Sequence, residues 1–252
     1  MNGSTLRNIA AITAHDALDG ARNPVMLTML ATCALLSFVF SSIVGTNWLN
    51  AAEANAFLVT VAIAIAPAYT GSVGLLYVMS EEFERGVPVT LAQAGVTTGQ
   101  AAIGKLAASL IWTLIAVLVS CLAIGCSAEE TAAALALSIP ASLPVLLMSL
   151  TFGLLSDDQM KSSVFAVPIV VCAVMPLLGA MAESLRPIAI AFPTGFAYEA
   201  SCLVAGAPTV LPTAAAVALC AVWTAITAAM AAWAHRRHAR KVADMVNRLQ
   251  DF

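Results

Sequence analysis

Charged side chains are scarce in this sequence. Only 10% of its 252 residues are Asp, Glu, Lys or Arg, whereas 61% are hydrophobic. A soluble domain carries about 25% charged and roughly 45–50% apolar residues. A chain of this length could not cover one or two water-facing domains with so few polar side chains. The composition therefore excludes an ordinary soluble protein and indicates a chain that lies largely within a membrane.

A secretory signal peptide is also missing. The first 23 residues include Arg7, His15, Asp16, Asp19 and Arg22, so they contain no apolar segment of the kind that signal peptides have. We therefore expect the first true membrane span to direct insertion.

Catalytic and metal-binding constellations are lacking as well. His235 and His238 are three residues apart, but no third ligand of the kind that a zinc site needs is near them. Asp157 and Asp158 could share a proton or bind a cation, yet a turn between two helices explains them better. We therefore expect neither an enzymatic site nor a metal site in this chain.

The six cysteines do not suggest a disulfide framework. Cys126 and Cys202 lie near predicted outer loops, and a bond between them stays open because sequence alone cannot give connectivity. The other four lie in apolar runs, where cysteine behaves as a small hydrophobe: Cys33, Cys121, Cys172 and Cys220.

Six stretches are long and apolar enough to cross a membrane, which takes about 20 residues. None of them contains a charged residue or a histidine, and the polar intervals between them are short. The sequence therefore predicts an all-α integral membrane protein whose residues 1–252 form a single transmembrane domain. The predicted spans are 25–44, 56–79, 106–125, 131–155, 162–182 and 209–234.

Lys and Arg are distributed unequally between the two sides of these spans. An even number of spans puts both termini on one side, and that side carries ten of the basic residues against Arg186 alone on the other. Basic residues are concentrated in cytoplasmic loops. We therefore expect both termini to be cytoplasmic.

Two segments outside the spans also have recognisable patterns. Residues 4–22 place apolar residues on one helix face, which predicts an amphipathic interfacial helix rather than a disordered tail; these residues are Leu6, Ile9, Ala10, Thr13 and Ala17. Asn23-Pro24 marks a break before the first span. The tail 235–252 is basic near the membrane, and we expect it to anchor the topology and attract anionic lipid.

The segment between the second and third spans, residues 80–104, is the most informative. It begins with an acidic stretch, continues into a short predicted helix at Thr90 to Ala94, and places Gly95 where a helix would end. The alternative is a solvated turn. Residues 99–105 match the start of a phosphate-binding loop, but position 106 is Leu where Ser or Thr is needed, and no buried strand precedes it.

This order of features resembles the membrane subunit of a type-2 ATP-binding-cassette (ABC) transporter. The matching residues of the second-to-third loop are Glu81, Glu82, Glu84, Arg85, Gly86, Gly104 and Lys105. The family's Pro-Val-Ser turn is matched only in part by Gly95-Val96-Thr97, and Pro88 departs from the pattern. A second resemblance lies at 193–200, and it implies that Glu183 to Phe192 belongs to a re-entrant or outer-surface helix.

The resemblance implies the function of an exporter permease, coupled to a separate ATPase subunit that binds ATP and magnesium. It also implies pairing with a second permease, a location in the cytoplasmic membrane of a bacterium, no cofactor in this chain and no nucleic-acid partner. The implied ATPase-coupling interface comprises Glu81, Glu82, Glu84, Arg85, Gly86, Thr90, Leu91, Ala92, Gln93 and Ala94.

Two other function classes stay open. An ion-coupled secondary transporter of a small hydrophobic substrate usually carries ionisable residues within its spans, and the predicted spans have none. Coupling through backbone carbonyls would still be possible where Pro67, Gly71 and Gly74 break the second span. A membrane-embedded enzyme is disfavoured by the same lack of polar residues.

Overall fold

The computed structural model describes residues 3–44 and 51–250, and every regular element within those ranges is helical. Six helices are long and apolar enough to cross a membrane, which confirms the predicted all-helical, multi-pass class. The α-helices are α1 (Gly3–Arg22), α2 (Pro24–Val44), α3 (Ala51–Ala66), α4 (Gly74–Glu84), α5 (Val87–Gln93), α6 (Thr98–Ile124), α7 (Ala128–Leu155), α8 (Gln159–Met181), α9 (Arg186–Ala191), α10 (Gly195–Ala205) and α11 (Thr213–Gln250).

The second span lies at the centre of the bundle. It runs from α3 through a π-helical segment, Pro67–Val73, into α4, and ten residues of α3 are buried. Thr70 donates a hydrogen bond to the carbonyl of Ala66, and Ser72 donates to the carbonyls of Pro67 and Ala68. The helix is therefore widened here rather than broken. Pro67 lacks the N–H that would donate to a carbonyl of the preceding turn, and the hydroxyls of Thr70 and Ser72 bond to carbonyls at the start of the widened segment.

The predicted N-terminal helix forms, and it lies mainly along α6. Ile9 and Thr13 are half-buried, whereas Leu6 and Ala10 are exposed. Polar groups join the two helices, with Asn8 donating to Gln100 and Thr13 donating to the carbonyl of Gly104. The contact with α6 was not predicted from the sequence, and the interfacial position of the helix stays a prediction.

Helix α11 is longer than predicted. The predicted last span began at residue 209 and ended at 234, but the helix starts at Thr213 and continues through the expected tail to Gln250. At about 1.5 Å per residue its 38 residues span about 57 Å, well beyond the roughly 30 Å hydrocarbon core of a membrane. Residues 251 and 252 of the predicted tail lie outside the described residues.

The segment between α8 and α11 forms a sharp hairpin. A 3₁₀ turn at Glu183–Leu185 leads into α9, and the segments Glu183–Ala191 and Gly195–Ala205 are bent by 120°. Arg186 at the start of α9 and Pro208 after α10 line the same small cavity. The chain therefore returns to the end of the bundle from which it left, and the expectation of a re-entrant or outer-surface helix stays a prediction.

Candidate functional site

One end of the bundle gathers most of the basic side chains, and we call it the charged end; it comprises residues 80–105, 156–161 and 235–248. The predicted coupling loop lies here and is ordered. Helix α4 ends at Glu84, Gly86 adopts a left-handed φ of 72°, and α5 follows at once. The short helix thus begins three residues before the predicted Thr90. Pro88 lies in its first turn, where no intrahelical N–H is needed.

The end of α5 has the hydrogen bonds of a Schellman motif. Val96 N–H donates to the carbonyl of Leu91 at 2.9 Å, and Gly95 N–H donates to Ala92 at 3.0 Å. Gly95 has a φ of 79°, a left-handed conformation that Gly adopts easily. The sequence position of Gly95 correctly predicted the end of this helix.

Helix α5 has two different faces. Pro88 and Leu91 point inward and line a cavity of about 30 Å³, large enough for about one water molecule, beside Lys105 and His238. Thr90, Gln93 and Ala94 are exposed on the opposite face, and Ala92 is half-buried. Of the predicted coupling residues in this helix, only these three exposed ones are well placed to contact another protein.

The acidic stretch before α5 is engaged within the chain. Lys105, near the start of α6, has a side chain that is only 7% exposed. It donates to Glu82 on α4 and lies 3.1 Å from Asp16 on α1. The two motifs that sequence analysis recognised separately, the Glu-rich stretch and the Gly-Lys pair, therefore meet in one buried ion cluster.

The other charges of this stretch also have partners. Arg85 pairs with Glu81 at 2.6 Å, and a Glu84 carboxylate oxygen accepts the Gln159 backbone N–H at 2.7 Å. Glu84 thus caps the N-terminus of α8, where a negative charge is favourable. Together these contacts tie the base of the loop to α1, α6 and α8, and a role in binding an ATPase stays a prediction.

Residues 235–248, which belong to the predicted basic tail, pack beneath α5 at this end. His238 is buried, with Nδ1 3.1 Å from the carbonyl of Leu154 and its ring 5.6 Å from Phe83. Lys241 bonds to Asp157, and its Nζ lies 4.6 Å from the centre of the Phe83 ring. The hydrogen bond from Lys241 holds the pKa of Asp157 below its ordinary value. Helix α5 packs against this part of α11.

Sequence analysis missed this docked segment. The buried residues Ala231, Ala234, His238 and Val242 recur at three- and four-residue intervals, which is the signature of a packed helix face. This pattern was not recognised in the sequence because the opposite face of the segment is rich in arginine. Among the described residues, no group of three or more His, Cys, Asp and Glu side chains could hold a metal ion.

The stretch that resembles a phosphate-binding loop is helical. A capping box starts α6, with Thr97 Oγ1 accepting from Gln100 N–H and Gln100 Oε1 accepting from Thr97 N–H. Residues 99–105 form the first turns of that helix, so their backbone N–H groups do not wrap a phosphate. Gly104 instead allows α6 to approach α1 closely, because a Cβ there would lie 2.7 Å from Cγ2 of Ile12.

At the other end of the bundle, the hairpin is held by a buried carboxylate. Glu199 is 1% exposed, and its oxygens accept the backbone N–H groups of Val210 and Leu211. The hairpin's turn needs Gly195, because a Cβ would lie 2.0 Å from the carbonyl oxygen of Ile190. Cys126 and Cys202 are both free thiols.

A comparison with known protein families found no match, and a comparison with curated proteins found none either.

Proposed function

We propose that this chain is the permease subunit of an ATP-driven exporter of the ABC type, with α5 as the element that a separate ATPase subunit contacts. The observation that carries the proposal is the construction of α5. It is a short helix outside the predicted spans, packed on its inner face and exposed on its outer face. The Gly-Lys resemblance noted in the sequence supports the same function.

The contacts of α5 would let it transmit force. Its N-terminus is joined to α4 through a single left-handed residue, Gly86, and its C-terminus leads directly into α6. Its inner face lies against α11. A displacement of α5 would therefore act on three spans at once, while the ion cluster at Lys105 would keep α4 and α6 moving together.

The surface of the bundle supports a paired assembly. Only three residues of α2 are buried, Met26, Cys33 and Ser37, although α2 is one of the six candidate spans. Such a helix is available for contact with lipid or with a second permease. We propose a homodimer or a heterodimer with a sister subunit, located in a cytoplasmic membrane with both termini in the cytoplasm.

The secondary-carrier alternative depends on free backbone carbonyls in the second span. The π-helical segment is the place where they would be expected. However, the carbonyls of Ala66, Pro67 and Ala68 accept hydrogen bonds from Thr70 and Ser72. This occupancy favours the ABC-type proposal over ion coupling at that position.

Substitutions on the outer face of α5 test the proposal. The tagged chain is purified from its own membranes, and co-purifying ATP-hydrolysing subunits are identified by mass spectrometry. Thr90→Arg and Ala94→Arg should each reduce capture of that subunit about tenfold or more, because an arginine forced into a packed contact loses over ~1.4 kcal/mol. Thermal unfolding should be unchanged, since both side chains are exposed.

Controls separate docking from packing. Glu129→Arg changes an exposed side chain at the opposite end and should leave capture intact. Leu91→Asp and reversal of Glu82 are poor tests, because these side chains lie against the cavity beneath α5 and would disturb the fold itself. Normal capture and transport by both Thr90→Arg and Ala94→Arg would refute α5 as the coupling element.

A further inference from the structure

One face of α11 changes character along its length. Val222, Ile226 and Met230 are exposed at four-residue intervals, and Trp233 continues the stripe three residues further on with 50% of its surface exposed. Arg237 and Arg240 continue it beyond Trp233, with Arg236 beside them. A single helix face therefore runs from aliphatic side chains, through an indole, to guanidinium groups.

The arginines of this face lie apart from the carboxylates. Arg237 stacks over the Trp233 ring at 5.2 Å, a cation–π arrangement that fixes the guanidinium while leaving its N–H groups available. None of Arg236, Arg237 and Arg240 forms a salt bridge within residues 3–44 and 51–250. Lys241 is different, because it lies on the packed side of the helix and bonds to Asp157.

The spacing along the helix matches the layers of a membrane. Exposed aliphatic side chains suit the hydrocarbon core, and Trp is typical of the interface. Arg236 and Arg237 lie about 5–6 Å beyond Trp233, and Arg240 lies about 10 Å beyond it, at about 1.5 Å per residue. The headgroup layer is about 5–8 Å thick on each side, and an arginine side chain can reach back into it.

We propose that Trp233, Arg236, Arg237 and Arg240 form a binding site for the headgroup of an anionic phospholipid, with its acyl chains along Val222, Ile226 and Met230. Guanidinium groups bind phosphate oxygens in pairs of parallel hydrogen bonds, which favours Arg over Lys here. The continuity of the exposed aliphatic stripe with the basic cluster selects a lipid as occupant, since a soluble acidic protein would leave the aliphatic part without a partner. This inference does not depend on the proposed coupling to an ATPase.

Native mass spectrometry of the full chain in detergent, titrated with phosphatidylglycerol or phosphatidylcholine, tests the site. The wild-type chain should bind a first phosphatidylglycerol in preference to phosphatidylcholine. Neutralising the cluster in Arg236→Gln/Arg237→Gln/Arg240→Gln should remove that preference, with about a fivefold loss of affinity for each arginine. Because all three side chains are exposed, the variant should fold and unfold like the wild type.

Two variants that each remove one positive charge are controls for the loss expected per arginine. Lys241→Gln alters the packed side of the same helix, and Arg248→Gln lies about 22 Å beyond Trp233; neither should reduce phosphatidylglycerol binding more than slightly. Soluble glycerol phosphate should compete poorly, since it lacks acyl chains. Retained preference in the triple variant would overturn the site, and so would equal losses in the two controls or full competition by glycerol phosphate. The site would also be refuted if the triple variant kept its preference for phosphatidylglycerol and lost only its capture of an ATPase subunit.

Discussion

Lys105 is the cation that joins the two carboxylates of the buried ion cluster at the charged end. It lies in the first turns of α6 and is almost fully buried, with Asp16 on one side and Glu82 on the other. A buried charge is tolerated only when it is paired, because removal from water is expensive. One lysine between two carboxylates thus joins the N-terminal helix to the two spans that flank the coupling loop.

Replacing Lys105 should therefore be severe. Lys105→Met leaves two buried carboxylates facing each other without a cation and should destabilise the fold by about 3–5 kcal/mol. The neutral triple variant Asp16→Asn/Glu82→Gln/Lys105→Met should recover most of that loss, because no unpaired charge then stays buried. Thermal unfolding in detergent measures both. A triple variant that is no more stable than Lys105→Met would show that the charges themselves are not what matters.

Asp157 gives the charged end a pH dependence. Its pKa is lowered by the Lys241 hydrogen bond, so the pair stabilises the fold above the ordinary Asp value of about 3.9, and this stabilisation is lost as the pH falls through the lower folded pKa. Both side chains are over 40% exposed, which limits the effect to less than about 1 kcal/mol.

The measurement is the difference in unfolding midpoint between the wild type and Asp157→Asn. It should be constant near neutral pH and shrink as the pH falls below the ordinary Asp pKa and through the lower folded pKa. Gln93→Ala, at an exposed position without a titratable group, should show no such pH-dependent difference. If the difference in unfolding midpoint between the wild type and Asp157→Asn were unchanged at acid pH, Asp157 would act through packing and not through its charge.

At the level of helices, the sequence correctly predicted the features that depend on local signals along the chain. The number of helices that are long and apolar enough to cross a membrane, six, and the end of α5 at Gly95 are confirmed because each depends on a local signal, a long apolar run or a glycine with positive φ. The packed face of α1 and the docked half of α11 were not predicted. Both depend on polar partners supplied by distant parts of the chain, such as Gln100 and Asp157, and periodicity does not reveal those.

The same limit applies to the candidate site. The Glu-rich stretch and Lys105 were recognised as separate motifs, but their mutual contact requires α1, α4 and α6 to converge. Likewise, the inward orientation of Leu91 follows from where α11 and α7 place His238 and Leu154 beneath α5. The charged residues of this site could be recognised in the sequence, but which of them pair with each other could not.

Gly104 allows α1 and α6 to approach closely, and this contact can be tested directly. A Cβ in Gly104→Ala would lie 2.7 Å from Cγ2 of Ile12 and 3.3 Å from the carbonyl of Ile9, so we expect a loss of about 1–3 kcal/mol from overpacking. Ile12→Ala combined with Gly104→Ala should recover only a small part of it, since the truncation removes Cγ2 but leaves Cβ of residue 12 at 2.9 Å from the new methyl group.

Gly99→Ala is the control in the same helix. The nearest side-chain atom to a Cβ there is Nε2 of His235 at 3.6 Å, an ordinary contact. Because alanine favours the helix more than glycine does, this variant should be neutral or slightly stabilising. Equal destabilisation by Gly99→Ala and Gly104→Ala would argue against a specific α1 contact.

Across the whole molecule, the two ends of the bundle are built differently. The charged end carries the ion cluster and the docked part of α11. The other end is closed by the hairpin of α9 and α10, with the carboxylate of Glu199 buried beneath it. Since the hairpin returns to its own end, α11 runs back to the charged end and places its C-terminal part beside α5.

This geometry and the basic asymmetry together predict the topology. Ten of the eleven Lys and Arg residues belong to the side of the charged end, and we therefore predict that this end is cytoplasmic. Reporter fusions should read cytoplasmic after residues 90, 160 and 245, and external after residues 50, 128 and 190; residue 50 lies outside the described residues. The fusion after 245 is decisive for the hairpin, because a chain that crossed the membrane at α9 and α10 would have seven spans and an external C-terminus. An external signal after residue 90 would invert the assignment and remove α5 from the reach of any cytoplasmic ATPase.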